Sequence, residues 1–299
     1  MKNQNRFLYI AMVSALALSP LSSSLNSLRF GNDQNYKRNS HVIYRDTDND
    51  DIDKASPGDA EEEEVIPVYD SLEDAGAYVR QEMKNRNEVI TLGITFRVSG
   101  FPSKLFDEAV KHTGVPDEGD YLRWLHNTYS VKADDIYWKN GIQYYRFRFT
   151  YYTTKEEEDE LDKYLDDYMA SLPLESMSDY EKVRAIYYFI CQHVRYSFNN
   201  SGETPTERLK YRSAYQALIN GTAVCQGYAS LFYNMALRAG VDARFIRGDV
   251  YDESTGTNLG HGWNIVKLDG SYYYLDSTWD SVYNHPFNYS YFLRGEENF

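Results

Sequence analysis

Three side chains in this sequence could together break an amide bond: Cys225, His261 and Asp276. A thiolate attacks the carbonyl, an imidazole holds the thiol proton and returns it to the leaving amine, and a carboxylate fixes the imidazole tautomer and steadies its charged form. Asn220-Gly221 is a turn that leads into a helix. Ala229, Phe232, Tyr233, Ala236 and Leu237 form its apolar stripe, and Gly240 closes it. Cys225 therefore falls at the helix N-terminus, where free backbone N–H groups and the positive end of the dipole favour an anion. Taken alone, Cys225 could equally be a small hydrophobe at a helix start. The second cysteine, Cys191, lies in Val183–Val194 among Ile186, Phe189 and Ile190 at helical spacing. It reads as a buried structural thiol, so two free thiols are expected rather than a bridge that would silence Cys225.

The histidine and the aspartate can be placed by counting. Gly260 to Leu268 reads as a strand, Asp269-Gly270 as a two-residue hairpin turn, and Ser271–Leu275 as the returning strand. Leu268 then faces Ser271, and the register carried outward sets Asp276 opposite Trp263. His261 and Trp263 share a face, so His261 and Asp276 become diagonal neighbours within reach of an imidazole–carboxylate bond. Ala243–Gly248 is expected as a strand before them, with 249–260 as a loop centred on Thr255-Gly256-Thr257.

The rest of the chain supplies the frame. Lys2 and Arg6 precede an apolar run from Phe7 to Leu18 and then small residues, which reads as an export signal over 1–24 and a secreted or cell-surface protein. That run is short for a bilayer span, so no membrane span is expected in the mature protein. Residues 25–65 read as an acidic disordered linker. Its Asp46–Asp53 run fails as a calcium loop: counted from Asp46, Asp51 takes the place of the loop glycine and Pro57 that of the bidentate glutamate. Residues 66–153 read as a small α+β accessory domain, with helices at Ser71–Asn85, Pro102–Lys111 and Asp120–His126 and strands at Val89–Val98 and Ile142–Tyr152. A second domain, 154–299, opens with an amphipathic helix carrying Leu161, Tyr164, Leu165, Tyr168 and Met169. It continues with a capping box, Ser178 to Glu181, before the helix Lys182–Val194. Tyr289–Leu293 reads as a late strand.

With a net charge of −14 and a pI near 4.9, the chain lacks the clustered cations that nucleic-acid binding needs. The segments Ala223-Val-Cys225-Gln-Gly-Tyr-Ala229, Gly260-His261-Gly262-Trp263-Asn264 and Leu275-Asp276-Ser277-Thr278-Trp279-Asp280 resemble the three motifs of the transglutaminase-like superfamily. Their order is kept, with 36 residues from Cys225 to His261 and 15 from His261 to Asp276. The helix over Tyr180–Tyr196 resembles that family's lead-in helix. Departures are Gly262 where alanine is usual and Ser277 where proline is usual; neither removes a functional group.

The resemblance implies an α+β, papain-like core in which a helix bearing the cysteine packs on an antiparallel sheet bearing the histidine and aspartate. It implies a thioester on Cys225, the Cys225 backbone N–H as one oxyanion donor, and Trp263 and Trp279 as walls. Tyr215 and Gln216, upstream, are candidates for the second donor, with core packing an equal account of Tyr215. The expected substrate is a peptide or protein amide. Attack by an amine on the thioester makes a crosslinking transferase; attack by water makes a protease or amidase. The three residues serve either. A catalytically silent binding or scaffold module is the alternative, and its mark would be a lost triad residue. No cofactor or metal is called for, and nothing in the sequence bears on an oligomeric state.

Overall fold

The structure is a computed structural model that describes residues 65–197, 202–252, 256–281 and 288–299. The segments read as export signal and nearly all of the acidic linker lie outside the described residues. The chain forms two compact units, and they are not cut at one point near 153. The stretch His112–Leu125 groups with Tyr152–Phe299, whereas His126–Tyr151 groups with the residues before 112.

The first unit is built on a mixed sheet. Its strands are β1 (Val68–Tyr69), β2 (Val89–Ile94), β3 (His126–Ser130), β4 (Ile136–Lys139) and β5 (Ile142–Tyr151), ordered β1-β2-β5-β3, with β4 on the other half of β5. Tyr145, Phe147 and Phe149 of β5 are buried at period two beneath α1 (Leu72–Lys84) and α2 (Phe101–Ala109). Ser71 caps α1 by accepting from the Asp74 N–H. Gly76 is required where the helices meet, since a Cβ there would fall 2.4 Å from Glu108 Cγ. The strand expected to reach Val98 stops at Ile94. β3 and β4 have no counterpart in the sequence reading, because both are short and mostly uncovered, so their side chains show no clean alternation. One signal for β4 was available: Asn140 and Gly141, both at positive φ, make the two-residue turn into β5.

The second unit places the motif residues. Capping boxes start α4 (Lys155–Ala170, from Thr154 and Glu157) and α5 (Asp179–His193, from Ser178 and Glu181). Between them and the motif helix lie α6 (Ala214–Asn220), closed by Gly221 in the left-handed region, and β7 (Thr222–Ala223), parallel to β6 (Arg195–Tyr196). The helix α7 (Cys225–Arg238) is buried over its whole run Gln226–Leu237, not along the single stripe expected. A helix covered on every side belongs at the centre of its domain. It packs on the antiparallel sheet β8 (Ala243–Asp252), β9 (Thr257–Leu268) and β10 (Ser271–Leu275), ordered β10-β9-β8.

Across Asp269-Gly270 the register runs Leu268↔Ser271 to Asn264↔Leu275, as the hairpin count requires. The stretch expected as a loop after Gly248 is instead largely ladder, since β8 and β9 pair from Ala243↔Val266 to Asp252↔Thr257. The far end of that ribbon is largely exposed, Tyr251 and Leu259 included, so it shows no alternation of buried and exposed residues and reads as loop. Tyr289–Leu293 forms no strand: Tyr289 and Leu293 both sit at positive φ, and the contact with β10 is a single Tyr274↔Arg294 bridge.

Candidate active site

Cys225 is the first residue of α7, partly exposed, and no side chain caps the helix ahead of it, Val224 standing at the cap position. Gly227 lets this first turn seat. A Cβ there would meet Ala223 Cβ at 2.7 Å, Tyr211 O at 2.8 Å and Ser213 O at 2.9 Å, two of them backbone atoms that cannot step aside. Gly262, next to His261 on β9, has the same function on the sheet side, where a Cβ would lie 2.9 Å from Phe245. Asn264 then ties sheet to helix through its buried amide, which donates to Ala229 O at 3.0 Å and to Arg244 O at 3.2 Å.

His261 stands opposite Gly248 in the β8–β9 ladder and is 7% exposed. Its Nε2 lies 2.5 Å from Asp276 Oδ2, and Cys225 is near enough to act on the imidazole electrostatically. Trp279 stacks on the ring at 4.6 Å and 10°, and Trp263 lies alongside at 5.9 Å and 25°. Burial alone would lower the imidazole pKa. The hydrogen bond to Asp276 and then the nearby Cys225 outweigh it, and the pKa is pushed up to about 10, so His261 is protonated at neutral pH.

Asp276 follows β10 directly and is 1% exposed. Oδ2 faces the imidazole, and Oδ1 accepts the N–H groups of Thr278 (2.9 Å) and Trp279 (3.2 Å), which leaves the carboxylate one orientation. Its backbone is pinned as well. The Asp276 N–H donates to Tyr291 O, and Tyr187 on α5 places its hydroxyl 2.8 Å from Asp276 O and 2.7 Å from Asp280 Oδ2. Asp280, fully buried, accepts the N–H groups of Ser290 (3.0 Å) and Tyr291 (2.9 Å). Cys191 lies beneath this loop and donates to Ser277 O at 3.4 Å. Burial, with the neighbouring Asp280 and Asp276 carboxylates, pushes its thiol well above the ordinary range. Both cysteines are free, and Cys191 is structural.

The structure thus brings Cys225, His261, Asp276, Trp263 and Trp279 together. Tyr215 and Gln216 are engaged elsewhere. The Tyr215 hydroxyl donates to Glu160 at 2.8 Å, while Gln216 donates to Thr222 and accepts from Asn220 across the α6–β7 turn. Neither supplies an oxyanion donor in this arrangement. Residues that sequence reading passed over are Tyr187 and Asp280, which hold the Asp276 loop, and Trp124, whose carbonyl accepts from the side chain of Gln226, the residue after Cys225. Asp280 lies inside the third motif and Gln226 inside the first. Trp124 sits about 100 positions from the helix it meets and offers no local signal. Among the described residues no group of three or more His, Cys, Asp or Glu is placed to hold a metal ion.

Residues 167–277 match the family model of the transglutaminase-like superfamily. The chain is similar to the kyphoscoliosis peptidases of Homo sapiens and Mus musculus, 34% identical over 125 residues in each case. The match covers 39% of this chain and 18% of each relative, so the chain spans less than a fifth of their length. Among solved structures, a crystal structure of a TGase aligns over 71% of this chain and 59% of its own at 16% identity and a TM-score of 0.30. A putative cysteine protease from Cytophaga hutchinsonii aligns over 51% and 65% at 15% identity and a TM-score of 0.27.

Proposed function

We propose, from the premise that residues 167–277 belong to the transglutaminase-like superfamily, that this protein is a cysteine peptidase working through Cys225, His261 and Asp276. The observation that carries the reading is a buried imidazole bonded to a buried carboxylate, with a partly exposed thiol at a helix N-terminus near enough to act on it.

At neutral pH the proton already sits on His261, and its imidazolium is steadied by Asp276 while the Cys225 sulfur serves as the nucleophile. The sulfur attacks the amide carbonyl carbon, and the carbonyl electron pair moves to oxygen, where the uncapped Cys225 N–H is in place to donate. As the oxyanion collapses, the C–N bond breaks and the imidazolium proton goes to the departing amine, leaving a thioester on Cys225. Neutral His261 then draws a proton from water, hydroxide adds to the thioester, and the acid leaves as the thiolate returns. Water as the acceptor is favoured by the peptidase name of the relatives that share 34% identity with this chain. Action outside the cell belongs to the same reading and is supported by the apolar run Phe7–Leu18 behind Lys2 and Arg6.

The test is incubation with an unfolded, glutamine-containing protein and a labelled primary amine. New fragments without label, lost in Cys225→Ala, are expected. Label incorporation without fragments would replace the peptidase with a crosslinking transferase, and fragments that persist in Cys225→Ala would overturn the reading altogether.

A further inference from the structure

In the sheet β10-β9-β8 the strand β8 is an outer one, and its Gly248 stands opposite His261. The ladder fixes which of its backbone groups point outward. The Lys267 N–H donates to Asp242 O, so the even-numbered residues here turn their N–H and C=O groups towards β9. The Phe245 N–H donates instead to the Asp120 carboxylate, at 3.1 Å, as it must if the odd-numbered residues turn away from β9. Asp120 opens α3 (Asp120–Leu125) and is held by two bonds from Arg244, at 2.6 and 2.9 Å, so at Phe245 the edge is covered by the protein itself. Ten consecutive pairs run from Ala243↔Val266 to Asp252↔Thr257 without a bulge, and the alternation therefore holds to the end of the ribbon.

Further out, Asp249 and Tyr251 are outward residues. Both are exposed, Tyr251 to 66%, and among the described residues nothing hydrogen-bonds the N–H or C=O of either. Together they offer two donors and two acceptors at the period of a neighbouring strand. Neither a proline nor a bulge blunts this edge between Gly248 and Asp252. Side chains of facing residues lie on one face, so Gly248 and His261 share theirs with Val250 and Leu259, the next pair out at period two. Leu259 is 48% exposed. The face that carries the base thus continues outward as an apolar floor.

We propose that the outer edge of β8 at Asp249 and Tyr251 takes an extended segment of the substrate by strand addition. Main-chain bonds to these two residues supply the hold, and alternate side chains of the segment rest on Val250 and Leu259, where β-branched and other apolar residues fit best. Pairing needs N–H and C=O groups that are not already used within a helix, so unfolded chains and extended loops are the class selected. Substrate is the occupant because the strand it joins is the one opposite His261 and the floor beneath it is continuous with the face of that residue. The word substrate rests on the peptidase reading above, whereas the docking can be measured without any cleavage.

The probe is β-casein, an unfolded protein, added to Cys225→Ala so that nothing is turned over. Residue-resolved hydrogen exchange should find the Asp249 and Tyr251 amides fast in the free protein and slowed about tenfold or more at saturation, with Gly248 and Val250 slow throughout because their N–H groups lie in the ladder. Asp249→Pro removes one outward donor and no ladder bond, a place where an edge strand accepts proline, and Tyr251→Pro does the same nearer the ribbon end. Each should weaken β-casein binding about fivefold, the effect of one net hydrogen bond, and raise KM for its cleavage by that factor with kcat kept. Asp249→Ala keeps the N–H and should do neither. Slow Gly248 and Val250 amides in a proline variant verify that its ladder has formed. The proposal is overturned by unslowed Asp249 and Tyr251 amides, by proline variants with an intact ladder that bind as well as wild type, or by an Asp249→Ala as damaging as Asp249→Pro. Slowing that follows protein concentration without β-casein also overturns it, since the occupant is then a second copy. Slowing as expected while wild type leaves β-casein uncleaved refutes the peptidase reading and keeps the docking edge; cleavage without slowing does the reverse.

Discussion

Replacing Tyr187 by phenylalanine tests whether the loop that carries Asp276 is held by one hydroxyl. The ring itself is packed against Phe292, Tyr289 and Phe232, and all of that packing survives in Tyr187→Phe. What is lost is a single O–H lying 2.7 Å from the Asp280 carboxylate and 2.8 Å from the Asp276 carbonyl. A hydrogen bond to a charged group contributes about 1.5–3 kcal/mol, more than a neutral one because the acceptor is left buried and short of a donor. Asp280 keeps two backbone N–H donors, from Ser290 and Tyr291, so its charge is not stripped and the lower half of that range applies. The expected loss is about 2 kcal/mol in urea unfolding at pH 7, equivalent to a fall in Tm of about 4–8 °C for a domain of this size. In an Asp280→Asn background the same substitution should cost clearly less, because the charged acceptor is already gone and the two changes share one interaction. A loss below about 0.5 kcal/mol, or an equal loss in both backgrounds, would refute the reasoning.

Three further outcomes follow from the site. The His261 pKa is raised in the folded protein from 6.5 to about 10, so its contribution to stability is fully present below pH 6.5 and is lost as pH rises through about 10. At about 1.4 kcal/mol per pH unit this amounts to on the order of 5 kcal/mol, read as a falling urea midpoint between pH 7 and 10 that is much flatter in His261→Gln. Native protein should take up one equivalent of iodoacetamide rapidly and a second only on unfolding. Cys225→Ala should abolish the fast equivalent, and Cys191→Ala should leave it in place, as mass spectrometry of the labelled peptides would show. Gly227→Ala should destabilise by about 1–3 kcal/mol or more through contact with Ala223 and two backbone carbonyls, whereas Gly270→Ala, strained at φ 80° but with open space around it, should cost about 1–2 kcal/mol; thermal melts of the two variants check the order.

What could be read directly from the residues were features whose causes lie within a few positions of one another. Ser178 and Glu181 specify a helix start because the two partners are three residues apart. Asp269-Gly270 specifies a hairpin, and once the turn is known every facing pair down to Asn264 and Leu275 follows from period-two counting. For that reason the His261 and Asp276 neighbourhood could be worked out without coordinates. The stripe on α7, by contrast, was drawn too narrow. Alanine, serine and glycine on its other faces carry little hydropathy, and only the assembled unit shows that Gln226–Leu237 is covered all round.

Only the tertiary structure could decide the rest, because the partners are far apart in sequence and alternate with nothing. Trp124 meets Gln226 across 102 positions, Asp120 meets Arg244 across 124, and Tyr187 meets Asp280 across 93. None of these residues lies on a periodic pattern that distinguishes it from ordinary core or surface. The local chemistry of turns thus determined that the thiol starts a helix and that the imidazole and the carboxylate meet across a hairpin. The closing of long loops determined what holds those groups still and what stands beside them, since such contacts form only when the packed core brings their ends together.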